Sequence, residues 1–188
     1  MQTVSRNNRV SLQRALAATL VSRPNCTLND LARSAGISRA TLYRFAPTRE
    51  DITAILMDLG MEHLESVAQL IDKSADRDLV LERVSTALLE NWELVMLVFS
   101  QIVMLQQSSD DLNQEPDRWV PIGRKFENYF LEGQKAGVFR VEFTAAWLTD
   151  FYWTCFYGVS WAMSRGRLAP ALAVSTLLTS FRHGASSD

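Results

Sequence analysis

Along most of the chain apolar residues return every three or four positions. Each segment with this spacing is closed off by a capping residue, a glycine or a proline, so the expected fold is all-α with about nine helices. From about Arg9 to Ser22, Leu12, Leu16 and Leu20 with Ala15 and Thr19 make one stripe, and Pro24 ends it. Two short helices follow within Thr27 to Arg49. A long one then opens at the N-cap Thr48, with Asp51 at its third position. Its apolar residues Ile52, Ile55, Leu56, Leu59, Val67 and Leu70 carry it to about Asp72, on the order of 35 Å at ~1.5 Å per residue. After a polar break at Lys73 to Arg77, Val80, Val84, Ala87, Leu88 and Asn91 outline a fifth helix. Leu94 to Leu105 is apolar nearly all round, which predicts a helix buried on every side.

Ser108 to Glu115 reads as a polar loop, and Pro116 suits the first turn of a seventh helix bearing Trp119, Ile122, Phe126, Tyr129, Phe130 and Gly133. The eighth helix, Thr144 to Ser164, has two apolar stripes. Trp147, Phe151, Thr154, Gly158 and Trp161 form one; Leu148, Tyr152, Cys155, Phe156, Val159 and Met163 form the other. A helix with two such faces must be covered twice, once by its own chain and once by a second subunit. Pro170 starts a last helix with Val174, Leu177, Leu178 and Phe181 on one face, and the tail from Gly184 reads as loose.

The most heavily punctuated stretch is Thr27 to Arg49. Thr27 is an N-cap with Asp30 three residues on, Leu28, Leu31, Ala32 and Ala35 form one stripe, and Gly36 is the residue able to take φ > 0 and end the helix. Ser38 caps the next helix, with Ile37 and Leu42 placed as a hydrophobic staple. That leaves Arg39, Ala40, Thr41, Tyr43 and Arg44 outward, a set suited to phosphates and base edges in a major groove. A generic αα-hairpin uses the same caps and glycine turn. Exposed Arg and Tyr in place of Glu/Lys pairs favour the DNA reader.

Charge points the same way. The net charge of −2 conceals an asymmetry: residues 1–50 hold eight Arg, no Lys and two acids, a net +6, which leaves −8 for the rest. A basic end on an acidic body is the footprint of a nucleic-acid module joined to a domain that does not touch the polyanion; a solvated basic face is the plainer alternative. Residues 1–8 read as an arm with one Arg that could reach DNA.

The run LARSAGISRATLYRFAPTRED resembles the DNA-binding signature of the TetR family of bacterial transcriptional regulators: an [IL]-A-x-x-A-G-[VI]-S helix-turn, a T-L-Y recognition helix and a [ST]-[KR]-E helix start. The likeness is close over roughly the first sixty residues. It returns weakly in GQKAGVFRVEFTAAWL, placed like the family's G-x-[FL]-R turn between the seventh and eighth helices. The resemblance implies a helix-turn-helix domain over residues 1–47 and an effector-binding and dimerisation domain over 48–188. It implies a homodimer on a palindromic double-stranded DNA operator, repression, and release by a small-molecule effector. Thr27, Tyr43 and Arg49 would then meet phosphates and Arg39, Ala40 and Arg44 the bases, with Ser38 and Thr41 at the helix start. A DNA-binding adaptor answering to a protein partner is the alternative.

The C-terminal part is dense in large rings, more than a core of this size and one dimer seam ordinarily require. Phe99, Trp119, Phe126, Tyr129, Phe130, Trp147, Phe151, Tyr152 and Phe156 are the candidate ligand-binding residues, with Asn91, Glu93, Glu127 and Tyr129 as polar groups to orient a guest. Aromatic faces beside carboxylates would also suit a lipophilic cation. Gly158, Trp161, Ala162, Val174, Leu178 and Phe181 are the candidate dimer seam.

Catalytic chemistry is thin. There are two His, 63 and 183, and no H-E-x-x-H, G-x-S-x-G or P-loop. Cys26 and Cys155 lack metal or disulfide spacing, and Cys155 among aromatics reads as a small buried apolar residue. No enzyme, cofactor, metal site or membrane span is expected, and the cytoplasm is the expected location.

Overall fold

The structure, a computed structural model, describes residues 6–71, 76–108 and 118–185. Among them are nine α-helices: α1 (Arg6–Ser22), α2 (Leu28–Ser34), α3 (Arg39–Phe45), α4 (Arg49–Ala68), α5 (Arg77–Glu90), α6 (Trp92–Ser108), α7 (Trp119–Lys135), α8 (Ala145–Ser164) and α9 (Ala173–Ala185). A 3₁₀ turn, Pro170–Leu172, leads into α9. The fold is all-α. Of the expected breaks, that at Lys73 to Arg77 lies largely outside the described residues. The loop from Ser108 with Pro116, the first five residues of the arm and the last three of the tail lie there also.

The described chain forms two compact units. One takes residues 6–63 and 91–108, the other 64–71, 76–90 and 118–185. The first is therefore larger than the segment 1–47, and the reason is its core. Leu16, Ala17 and Leu20 of α1, Leu31 and Ala32 of α2 and Leu42 of α3 share one hydrophobic cluster with Ile52 and Leu56 of α4 and Leu94 and Leu97 of α6. Burial of each such Leu or Ile contributes about 1.5–3 kcal/mol, so α6 belongs energetically with the N-terminal helices. A partly buried ion pair adds direction to that packing: Arg14 on α1 donates from Nε and Nη2 to the two carboxylate oxygens of Glu93 on α6, at 3.0 and 2.9 Å. Thr19 of α1 donates to Ser34 Oγ of α2 at 2.7 Å.

Helix α6 departs from the expectation of burial on every side. Val95 to Val98 are buried in succession, and Ile102 is buried further on, but Val103 and Met104 are about half exposed, so the last described turn of α6 is covered on one side only. The close approach of α4 to α6 rests on Gly60. A Cβ there would lie 2.6 Å from Val98 Cγ2 and 3.1 Å from the Leu94 carbonyl oxygen. Gly60→Ala should therefore destabilise the protein, because overpacking costs about 1–3 kcal/mol and outweighs the ~1 kcal/mol that Ala gains over Gly in a helix. A urea melt reading a midpoint at or above wild type would refute this.

The second unit packs α8 against α7 and α9, with α5 on α9. Its core is aromatic. Phe126, Phe130, Tyr152, Phe156 and Phe181 are each at most 1 % exposed, and the rings of Phe126, Phe130, Tyr152 and Phe181 pair at centroid distances of 5.3 to 6.1 Å. Gly133 is the seat of Phe139, whose ring atoms come within 2.2 Å of where a Cβ would stand. Polar ends are satisfied inside this core: the Tyr152 hydroxyl and Ser85 Oγ share a bond at 2.9 Å, and Tyr129 donates to the Arg77 carbonyl at 2.7 Å. Burial pushes both phenols above their ordinary range, so they remain neutral donors.

Candidate nucleic-acid interface and effector region

Thr27 caps α2 through a reciprocal box: its hydroxyl accepts from Asp30 N–H at 3.2 Å, and Asp30 Oδ2 accepts from Thr27 N–H at 2.9 Å. At the other end Gly36 takes φ 65°. Its N–H reaches the Arg33 carbonyl and that of Ile37 reaches Ala32, the paired closure of a Schellman motif. The chain reverses within three residues, and Ser38 starts α3 by accepting from Thr41 N–H at 3.1 Å. Leu42 is buried and Phe45 half-buried, which fixes the inward face of α3 and leaves Arg39, Ala40, Tyr43 and Arg44 exposed.

The outward side chains are partly ordered by one another. Ser38 Oγ and Thr41 Oγ1 lie 2.9 Å apart, and Arg44 reaches back one turn to donate to Thr41 at 3.3 Å. The Arg39 guanidinium stands 5.7 Å over the Tyr43 ring. Arg9, Arg23 and Arg33 are exposed on the same unit. Arg49 is turned differently: its guanidinium donates to the Pro24 carbonyl and lies near Glu50, so it ties the turn before α2 to the start of α4.

The Asp30 carboxyl is held below its ordinary value of 3.8, first by the Thr27 hydroxyl and then by the Thr27 N–H. A depressed folded value means that the box contributes stability above pH 3.8 and loses it as pH falls through the lower folded value. Asp30→Asn should therefore lower the urea midpoint near neutrality and converge on wild type as the pH falls below the lowered folded value. A gap between the two curves that does not narrow with acid would contradict this role.

The candidate ligand rings separate into three settings. Phe126, Tyr129, Phe130, Tyr152 and Phe156 are close-packed core, so the density of rings there reflects packing and not a cavity wall. Trp147 is 44 % exposed and Phe151 half-buried, stacked on each other with centroids 5.1 Å apart. Phe99 lies on α6 in the first unit. Of the proposed orienting groups, Glu93 is committed to Arg14 and Tyr129 to Arg77. Trp119 lines an open cleft of about 290 Å³ between α7 and α8, with Gly123, Arg124, Glu127, Thr149, Asp150 and Trp153. The aromatic signal reached Trp119 but gave no reason to join it to Arg124 or Asp150, which come together only once α7 and α8 are paired.

The candidate seam divides too. Gly158 and Trp161 are exposed on α8 and Ala162 and Val174 half-buried, whereas Leu178 is buried and Phe181 fully so, against Phe130, Phe139, Phe151 and Tyr152. Phe181 is thus a core residue of a single chain, not a seam residue. Cys155 is half-buried, and burial raises its thiol above the ordinary value, which disfavours the thiolate a nucleophile needs. Among the described residues no single helix is long and apolar enough to cross a membrane, and no group of His, Cys, Asp and Glu is placed to hold a metal ion.

A capped helix, a left-handed glycine turn and a second capped helix with an exposed basic face make the helix-turn-helix arrangement. The chain is 38 % identical over 190 residues to the HTH-type transcriptional regulator NfxB of Pseudomonas aeruginosa, covering 99 % of this chain and 97 % of that protein. Its fold is that of the ketosteroid transcriptional regulator KstR2 of Mycobacterium tuberculosis, with TM-score 0.67, 19 % identity and coverage of 100 % and 98 % of the two chains. It is also that of the TetR-like regulator LfrR of Mycobacterium smegmatis, solved with proflavine, with TM-score 0.61, 20 % identity and coverage of 99 % and 100 %. No protein-family model matches the chain. The chain belongs to the helix-turn-helix transcriptional regulators of the TetR family.

Proposed function

We propose that this regulator is a repressor that holds a palindromic DNA operator as a homodimer and lets go when a small hydrophobic or aromatic ligand enters the second unit. The observation that carries the reading is α3, whose inward face is fixed by Leu42 and whose exposed face offers Arg39, Tyr43 and Arg44, with Thr41 half-buried beside them, from a capped start. Arg44 and Arg39 have the reach and donors for guanine edges, and Tyr43 with Thr27 suits phosphates. Two copies of so short a reader need two-fold symmetry to reach useful affinity, with half-sites about one DNA turn apart or more. The exposed stripe of α8 supports a seam there. Ligand control is supported by the aromatic second unit and by LfrR, a protein of this fold that holds proflavine.

Selection of bound sequences from a random DNA pool tests it directly. An inverted repeat should emerge, and its affinity should fall steeply with salt, because each phosphate contact releases counterions. Recovery of no consensus by the folded full-length protein would refute the regulator's specificity and with it the repressor assignment.

A further inference from the structure

Resting on the reading of α3 as the DNA reader, we infer that Thr41 is a positioning residue, whose hydroxyl, tied to that of Ser38, holds the Arg44 guanidinium ready for one base of each half-site. The chain of contacts starts at the backbone. Ser38 Oγ accepts from the Thr41 N–H at 3.1 Å, which fixes the cap, and lies 2.9 Å from Thr41 Oγ1. Arg44 then donates from Nη2 to Thr41 Oγ1 at 3.3 Å. Whichever hydroxyl of the pair gives its hydrogen to the other, Thr41 Oγ1 keeps a lone pair for Arg44, so the three groups bond at once without competing.

Each member is suited to its place. Thr41 is half-buried and β-branched, so it is stiff at χ1, and the contact with Ser38 selects its rotamer. Arg44 carries its charge on a long flexible stem, and rotamer freedom given up in advance is not lost again on docking. The bond takes a single N–H of the guanidinium and leaves donors enough for both the O6 and N7 acceptors of a guanine. Its partner is also neutral. Arg33 lies 4.0 Å from the Asp30 carboxylate and Arg49 3.9 Å from that of Glu50, contacts that offset their charge, whereas the Thr41 hydroxyl aims Arg44 and leaves its charge whole for the polyanion. Arg39 is held differently again, 5.7 Å over the Tyr43 ring. A ring face restrains the height of a guanidinium but not its rotation; a hydrogen bond aims it.

The test is discrimination by the full-length protein, read as the ratio of its affinities for the selected operator and for operators changed symmetrically at one base pair. Thr41→Val removes the hydroxyl at nearly constant volume. Its discrimination should fall by about three- to tenfold at the base pair that Arg44→Ala relaxes, part of the roughly five- to 150-fold that a whole bidentate contact is worth, and should stay as in wild type at every other pair. A ratio measured on one sample does not depend on the fraction folded, so a modest loss of stability leaves the test intact. Thr41→Ser keeps the hydroxyl and should discriminate within about twofold of wild type. Thr41→Val combined with Arg44→Ala should do no worse than Arg44→Ala alone, because nothing is left to position. The salt dependence of Thr41→Val should match wild type, whereas it would be shallower if Thr41 itself met a phosphate. Unchanged discrimination in Thr41→Val, an equal loss against all sequences with a shallower salt dependence, failure of serine to restore the ratio, or a further loss in the double variant would each overturn the role. If Arg44→Ala itself discriminates like wild type, the reader assignment falls and this role with it; a relaxed Arg44→Ala beside an unchanged Thr41→Val overturns the positioning role alone.

Discussion

Arg44→Ala and Tyr43→Ala should each abolish specific operator binding while the protein stays folded. Both side chains are exposed, Tyr43 by 47 %, and the inward packing of α3 rests on Leu42, so truncation removes almost no buried surface. The structural loss in Arg44→Ala is one solvent-exposed bond to Thr41, within the range of ordinary surface changes. The binding loss is much larger. A base contact is worth ~1–3 kcal/mol, and in a two-fold complex each substitution is felt at both half-sites, for a total of about 2–6 kcal/mol. If Tyr43 meets phosphate, its variant should lose affinity for all sequences alike and show a shallower salt dependence; Arg44→Ala should instead relax the choice of base at one position in each half-site. Gel-shift titrations at two salt concentrations measure all of this. Affinity within a factor of two of wild type in both variants would remove α3 from its role as the reader.

The helix-turn-helix was legible in the sequence because every step of it is local. Thr27 with Asp30, Gly36 and Ser38 act within four residues of themselves, and the structure places each in the predicted cap or turn. Long-range choices were not local and so were not legible. Glu93 reads as a free polar group until α1 is laid against α6, and the contact of Arg49 with the Pro24 carbonyl appears only once the turn before α2 is brought beside α4. The aromatic stripe of α7 obeys helical spacing, but spacing alone does not distinguish a ring facing other rings from one facing a cleft. Phe126 and Trp119 lie on the same stripe, one fully buried among rings and the other also lining open space. Phe139 was legible as the [FL] of the G-x-[FL]-R turn but not as core. It follows a glycine turn outside any helix, and only its fit onto Gly133 makes it core. The two stripes of α8 came through in part: Leu148, Tyr152, Phe156 and Val159 are buried and Trp147, Thr154, Gly158 and Trp161 are exposed, whereas Cys155 and Met163 of the first set and Phe151 of the second, which packs on Phe181, are half-buried.

That exposed stripe leads to the remaining large effect: Gly158→Arg should split the homodimer and, with it, tight operator binding. In the single chain Gly158 is exposed, and a Cβ there would meet nothing within 4 Å, so the substitution strains neither α8 nor its neighbours. Replacing glycine inside a helix should even favour the isolated fold by roughly 0.5–1 kcal/mol. At a seam the outcome reverses. Exposed Tyr157 and Trp161, stacked in near-parallel planes, and Trp147 about three turns back put large rings on one exposed side of α8, the kind of apolar surface that a partner covers. Gly158 sits within it as the point of closest possible helix approach. An arginine placed there would hold two copies of α8 apart and bury an unanswered charge on each side, a cost of several kcal/mol per ion. Sedimentation at micromolar concentration should give a dimer for wild type and a monomer for the variant. The wild-type melting temperature should rise with protein concentration, as mass action requires, and that of the variant should not. A half-operator should bind both proteins equally weakly, since each then engages one reader. A wild type that sediments as a monomer, or a variant that remains a dimer with unchanged operator affinity, would show that this face of α8 is not the seam.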